Sequence, residues 1–161
     1  MDLIKDFSSH KKYLLPVLNI AMLCVIIFTI SVFFIHKSNL IIGFILLALS
    51  GLCLASLSIF KIKIKNTEPD IIFGIIDNGI LALFAILGGK IAGVTGAIIG
   101  GVVGNSITDG IAGMFEGYWA ERLRGKNIKE ERVVLGSAVG KMAGCLFGAG
   151  VVLIIASFLR F

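Results

Sequence analysis

Residues 133–158 read VVLGSAVGKMAGCLFGAGVVLIIASF, an apolar run interrupted by one charge, Lys141. As a helix the run would be about 39 Å long, enough to cross a hydrocarbon core of about 30 Å. Gly136, Gly140, Gly144 and Gly148 recur every fourth residue, so they fall on one helix face and leave a smooth strip for another backbone. The length and the period together predict a membrane-spanning helix made for close packing.

Working outward, four more runs share that character. Ile91 to about Tyr118 carries two further small-residue rows, Gly96-Gly100-Gly104 and Gly89-Gly93-Ala97-Gly101. The segment 71–87 precedes it across Gly88-Gly89-Lys90. A helix-start signature lies just upstream, with Thr67 as N-cap, Pro69 in the first turn and Glu68 and Asp70 at the positive end of the helix dipole. Leu14 to Ile35 and Leu40 to Phe60 are bulkier and nearly unbroken, separated by His36-Lys37-Ser38-Asn39. The first is too long for a signal-peptide core and no A-x-A-like site follows it, so it reads as an uncleaved anchor.

The expected fold is therefore an all-helical, polytopic integral membrane protein of five transmembrane helices. Residues 1–60 form a two-helix hairpin, 61–70 a basic cytoplasmic linker and 71–161 a glycine-rich three-helix core. Of twenty glycines, only Gly43 and Gly51 precede residue 70. A break of the fourth span near Gly100 to Asn105 into a re-entrant hairpin is the rival arrangement, and it would spoil the charge topology.

Composition agrees: 57% of the 161 residues are hydrophobic, 16% are charged and the mean hydropathy is +1.01, which excludes a water-soluble domain. The net charge of +5 does not indicate nucleic acid, because the basic residues sit at the ends of apolar runs. Eleven of the fifteen fall in the N-terminus, the 61–65 linker and the 122–132 loop, and only Lys37, Lys90 and Arg160 on the other side. The N-terminus is then inside and the C-terminus outside, with Tyr13, Tyr118 and Trp119 at the inner interface.

Charges within the spans are the functional signal, since each costs about 2.5 to 3.5 kcal/mol to insert. Asp77, Asp109 and Lys141 come out at similar depth in three different helices, with Glu116 nearer the cytoplasm. Asn105, Asp109, Ala112 and Glu116 follow an i, i+4, i+7, i+11 pattern on one helix face. Carboxylate and amide oxygens suit protons and hard divalent cations, and also Fe(II) or Mn(II). The plain alternative is that Lys141 neutralises an aspartate and the charges only fasten helices together.

Other polar residues read as structural. Asn19 and Asn78 suit interhelical hydrogen bonds, and Cys24, Cys53 and Cys145 lack metal or redox spacing. His10 and His36 have no second ligand, and Glu121, Glu130 and Glu131 are interleaved with basic residues. The match between 89–93 and 140–144 is short enough to arise by chance. No hydrolase triad, P-loop, zinc-protease motif or dinucleotide fingerprint occurs, so no enzyme is expected.

The stretch Asp70-Ile-Ile-Phe-Gly-Ile-Ile-Asp77-Asn78-Gly79, its apolar continuation to Gly88, and Gly110-Ile-Ala-Gly-Met114-Phe-Glu116-Gly117-Tyr118 resemble the first two spans of the vacuolar iron transporter family. The resemblance covers about fifty residues. It implies that Asp77 stands for the aspartate of the first span and that Met114 and Glu116 lie near a metal path. It also implies Glu130 and Glu131 in a metal-gathering region, and proton-coupled Fe(II) or Mn(II) export by a dimer. Three departures separate this chain from the family: Asn78 interrupts D-G, Glu116 precedes its glycine, and the inner loop is short.

The expected function is cation transport, of a divalent metal or proton-coupled. Asp77, Asp109, Glu116, Met114 and Asn105 are the candidate ligands or carriers, and Lys141 is their charge partner. No cofactor is expected beyond a transported divalent metal. The alternative is a non-transporting packing or assembly subunit whose glycine rows dock a partner or a second copy. Expected partners are the bilayer of an inner or plasma membrane and a second copy, a dimer being favoured, or a larger membrane complex.

Overall fold

A computed structural model describes the backbone of residues 2–125 and 133–159, with side chains for 14–114 and 133–159. The elements are α1 (Asp2–Phe34), α2 (Asn39–Ile59), a 3-10 turn at Ile64–Asn66, α3 (Glu68–Gly125) and α4 (Val134–Phe158). Four helices are long and apolar enough to cross a membrane: Leu14–Phe34, Asn39–Ile59, Glu68–Met114 and Val134–Phe158. The described chain is all-helical apart from its turns, as the apolar runs require, because a helix satisfies its own backbone hydrogen bonds where water is absent.

α3 is not straight. Ala92 (φ −138°, ψ 25°) and Gly93 (φ 60°, ψ −139°) leave helical geometry, and the chain folds back there. Among the described residues Gly93 is the one glycine with a positive φ, a conformation that a side chain would strain. The two arms, 68–91 and 94–125, lie antiparallel: Gly88 faces Gly96, Phe84 faces Gly100 and Leu81 faces Gly104. The reversal expected at Gly88-Gly89-Lys90 thus occurs a few residues later, at Ala92 and Gly93. No break occurs at Gly100 to Asn105, so the re-entrant arrangement is not adopted.

The glycine rows are filled by the chain itself. A Cβ on Gly144 or Gly148 would run into the carbonyl oxygens of Ile71 and Ile75, and one on Gly100 into that of Phe84. Gly136 and Gly140 receive Thr67, with hypothetical Cβ contacts of 3.0 Å at each. Gly74 answers from the other side, where a Cβ would lie 2.5 Å from the Lys141 carbonyl oxygen. Contacts climb together along both chains, so α4 runs parallel to the first arm of α3.

α4 is the hub. It packs extensively on α3 and on α2, whereas α1 touches α2 and α4 only lightly and α2 does not pack on α3 among the described residues. Gly43 of α2 meets Gly150 of α4, where a Cβ on Gly43 would fall 2.9 Å from the Gly150 carbonyl oxygen. The Ser50 hydroxyl donates to the Ala143 carbonyl at 2.8 Å, and Ser56 donates to Asn19 of α1 at 2.8 Å, the interhelical bond expected of that amide. Leu23, Cys53, Leu57, Leu135, Val139 and Ala143 form the buried apolar cluster around these contacts. α2 is therefore more than a lipid-facing helix.

Two ends depart from simple signals. α2 closes with Lys61 N–H to Ser58 and Ile62 N–H to Leu57, the paired bonds of a Schellman motif, which puts Lys61 at φ 56° where glycine is usual. α3 begins at Glu68 as the N-cap signature predicts, and Ile71 N–H bonds the Thr67 carbonyl at 3.0 Å. The Thr67 hydroxyl donates backwards to the Ile64 carbonyl at 2.8 Å.

Candidate functional site

Among the described residues, the carboxylate buried deep in an apolar helix is Asp77, in the seam between the arms of α3. Asp77 is 7% exposed and Thr108, facing it from the second arm, is 2% exposed. Thr108 donates its hydroxyl to the Asp77 carboxylate. Glycine makes the approach possible, because the row Gly96, Gly100 and Gly104 lets the arms meet backbone to backbone one to three turns away. Thr108 and Ala112 continue that row and are buried with it.

The Thr108 hydroxyl has two further acceptors within reach, the carbonyls of Asn105 at 3.0 Å and Gly104 at 3.2 Å. It has one proton to give. When Asp77 is ionised the hydroxyl donates to it. When Asp77 is protonated its O–H can donate to Thr108 Oγ1, while the threonine proton turns to a backbone carbonyl. Either form of the carboxyl then keeps a hydrogen bond to Thr108 without parting the arms.

The other expected residues are dispersed. Asn105 donates to Asp109 at 2.7 Å on the second arm, but Asp109 is exposed and turned away from Thr108. The i, i+4, i+7 face therefore splits: Ala112 packs in the seam, while Asn105 and Asp109 stand outside it. Met114 is 77% exposed. Glu116 lies on the second arm with its side chain outside the described residues, as do those of Tyr13, Tyr118, Trp119, Glu121, Glu130 and Glu131. Among the described residues no group of three or more His, Cys, Asp or Glu side chains could hold a metal ion.

Lys141 is exposed, and its ammonium lies over the Phe73 ring, 4.1 Å from the centroid, a cation–π contact. Gly140 packs against Thr67 and Asp70, and Gly74 against the Lys141 backbone, so Lys141 stands level with about residues 70–72 of the first arm. Asp77 is about one to two turns further along. The depths that coincide closely are those of Asp77 and Asp109, because Asp77 faces Thr108 directly.

Two polar contacts to carboxylates had no sequence signal: Thr108 at Asp77, and Ser137 of α4, which donates to Asp70 at 2.7 Å. A threonine or serine in an apolar helix is usually satisfied by its own backbone, and only the register between helices identifies those that reach across. No protein-family model matches the chain, and no curated protein or solved structure matches it.

Proposed function

We propose that this chain is a five-span membrane protein, N-terminus inside and C-terminus outside, that moves a cation with Asp77 as its proton-carrying carboxylate. The observation that carries the reading is the Asp77–Thr108 pair, which accommodates either protonation state within a closed, glycine-packed seam. The reversal at Ala92–Gly93 supports counting α3 as two crossings, and the parallel course of α4 agrees with an odd total. Lys and Arg concentrate on the ends assigned to the inside, which supports this orientation in an inner or plasma membrane. The resemblance of residues 70–120 to vacuolar iron transporters favours Fe(II) or Mn(II) as a coupled ion.

The test is flux. Purified protein in liposomes should acidify or alkalinise the lumen under an imposed proton or metal gradient, and Asp77→Asn should abolish the signal while eluting as wild type, since asparagine still accepts from Thr108. Equal flux in Asp77→Asn, or none from wild type under proton, Fe(II) or Mn(II) gradients, contradicts the proposal.

A second reading, a non-transporting assembly subunit, is favoured by a different observation: Asp109 and Lys141 are exposed on helices that are otherwise apolar. Because the chain's own helices fill its glycine rows, docking would use these outer faces instead.

A further inference from the structure

Asp109 and Lys141 carry opposite charges on outward faces of membrane helices, and neither has an opposite charge within 4.0 Å among the described residues. Asp109 is steadied by Asn105 and Lys141 by Phe73, so both are held outward. Their heights are close. Asp109 follows Thr108, which faces Asp77, and so stands near residue 76 of the first arm, whereas Lys141 stands near residues 70–72. The axial gap is about 6 to 9 Å, within the combined reach of a lysine and an aspartate side chain.

Lys141 also leans toward the arm that carries Asp109. Phe73 and Asp77 are one turn apart on the first arm and so lie on one face, the face that meets the second arm. Lys141, resting on Phe73, is drawn to that side.

We infer that a second copy of this chain docks here, with Asp109 of each copy paired to Lys141 of the other. A two-fold axis along the membrane normal keeps every residue at its own depth, so the contact is isologous and both pairs form together. Within the bilayer such pairing removes two unmatched charges from each chain, which a lipid-facing surface cannot do. A second copy is favoured over an unrelated partner because one chain supplies both halves of the match. The inference uses the membrane placement proposed above but not cation movement, and Asp77 has no part in the contact.

The test is charge exchange between chains carrying two different tags in the same membrane. Wild-type chains should co-purify, and Asp109→Lys or Lys141→Asp alone should lower co-purification about tenfold. Co-expressing Asp109→Lys with Lys141→Asp should restore it, because both interchain pairs are then complementary while each chain alone carries two like charges. A second measurement covers variants that fail to fold. With Cys24, Cys53 and Cys145 replaced by alanine, Asp109→Cys in one chain and Lys141→Cys in the other should be joined into a covalent dimer by a bis-maleimide with a spacer of about 10 Å, because the axial gap exceeds what a disulfide bridges. Wild-type chains that do not co-purify, failure of the co-expressed swap to restore pairing, or no cross-link between well-folded cysteine variants overturns the proposal. Asp77→Asn should co-purify as wild type, so the result here is separate from the flux result.

Discussion

α2 and α4 are equally buried, at 33% of their most apolar windows, yet they achieve it differently. α2 uses side chains, burying Leu49 and Leu57 beside the smaller Ser50, Cys53 and Ser56, with a close backbone approach at Gly43. α4 uses Gly136, Gly140, Gly144 and Gly148 against the first arm of α3, where carbonyl oxygens occupy the space a methyl group would need. Bulky packing tolerates adjustment by side-chain rotation, whereas a backbone seam has no side chain to move aside. The seam between the two arms of α3, closed in the same way at Gly96, Gly100 and Gly104, is where the buried carboxylate lies, which suits a group whose partner must stay at hydrogen-bond distance.

The same substitution should separate the two regions most sharply. Gly144→Ala must push α4 away from Ile71 and should cost about 3 kcal/mol, read as a large drop in the thermal midpoint of monodisperse protein in detergent. Gly51→Ala on α2 meets nothing within 4 Å and should be neutral or stabilise by up to about 1 kcal/mol. Equal effects at the two sites would break the distinction.

Next in size is the reversal. Gly93→Ala also meets open space, so any loss there is conformational; at φ 60° and ψ −139° it should cost about 1 to 3 kcal/mol by the same assay. A neutral result would mean that the arms are not held at this turn.

The smallest effect belongs to single interhelical hydrogen bonds. Ser50→Ala removes the bond to Ala143 between α2 and α4 and should cost about 0.6 kcal/mol, the average for such bonds in membranes. A loss as large as that at Gly144 would show that side-chain bonds, rather than the backbone seam, hold the bundle.

Much of this fold was legible in the sequence. Apolar run length placed the helices within a few residues, and the four-residue glycine period identified the face of α4 that packs. α1 instead begins at Asp2 and carries Pro16 within it, because helical geometry continues beyond the apolar span that hydropathy can mark. The site was legible only in part. Asp77 stood out as a costly charge, but its partner depends on the register of two antiparallel arms, which the turn at Gly93 fixes in three dimensions. Helical period put Asn105, Asp109 and Ala112 on one face, yet that face is wider than the strip that packs, and the seam takes only its Ala112 side. Lys141 was expected on a carboxylate of its own chain. It rests on Phe73 instead, because close backbone packing of α4 holds it nearer the start of α3 than Asp77.

The proposed double crossing of α3, through the reversal that brings Thr108 to Asp77, would set the ends of the chain on opposite sides of the membrane. Single cysteines at Lys37, Lys63 and Lys90, in a chain whose own cysteines are replaced, test it directly with a membrane-impermeant thiol reagent on intact cells. The account predicts labelling at Lys37→Cys and Lys90→Cys, and protection at Lys63→Cys until the cells are opened. Protection at Lys90→Cys with labelling at Lys37→Cys would contradict it.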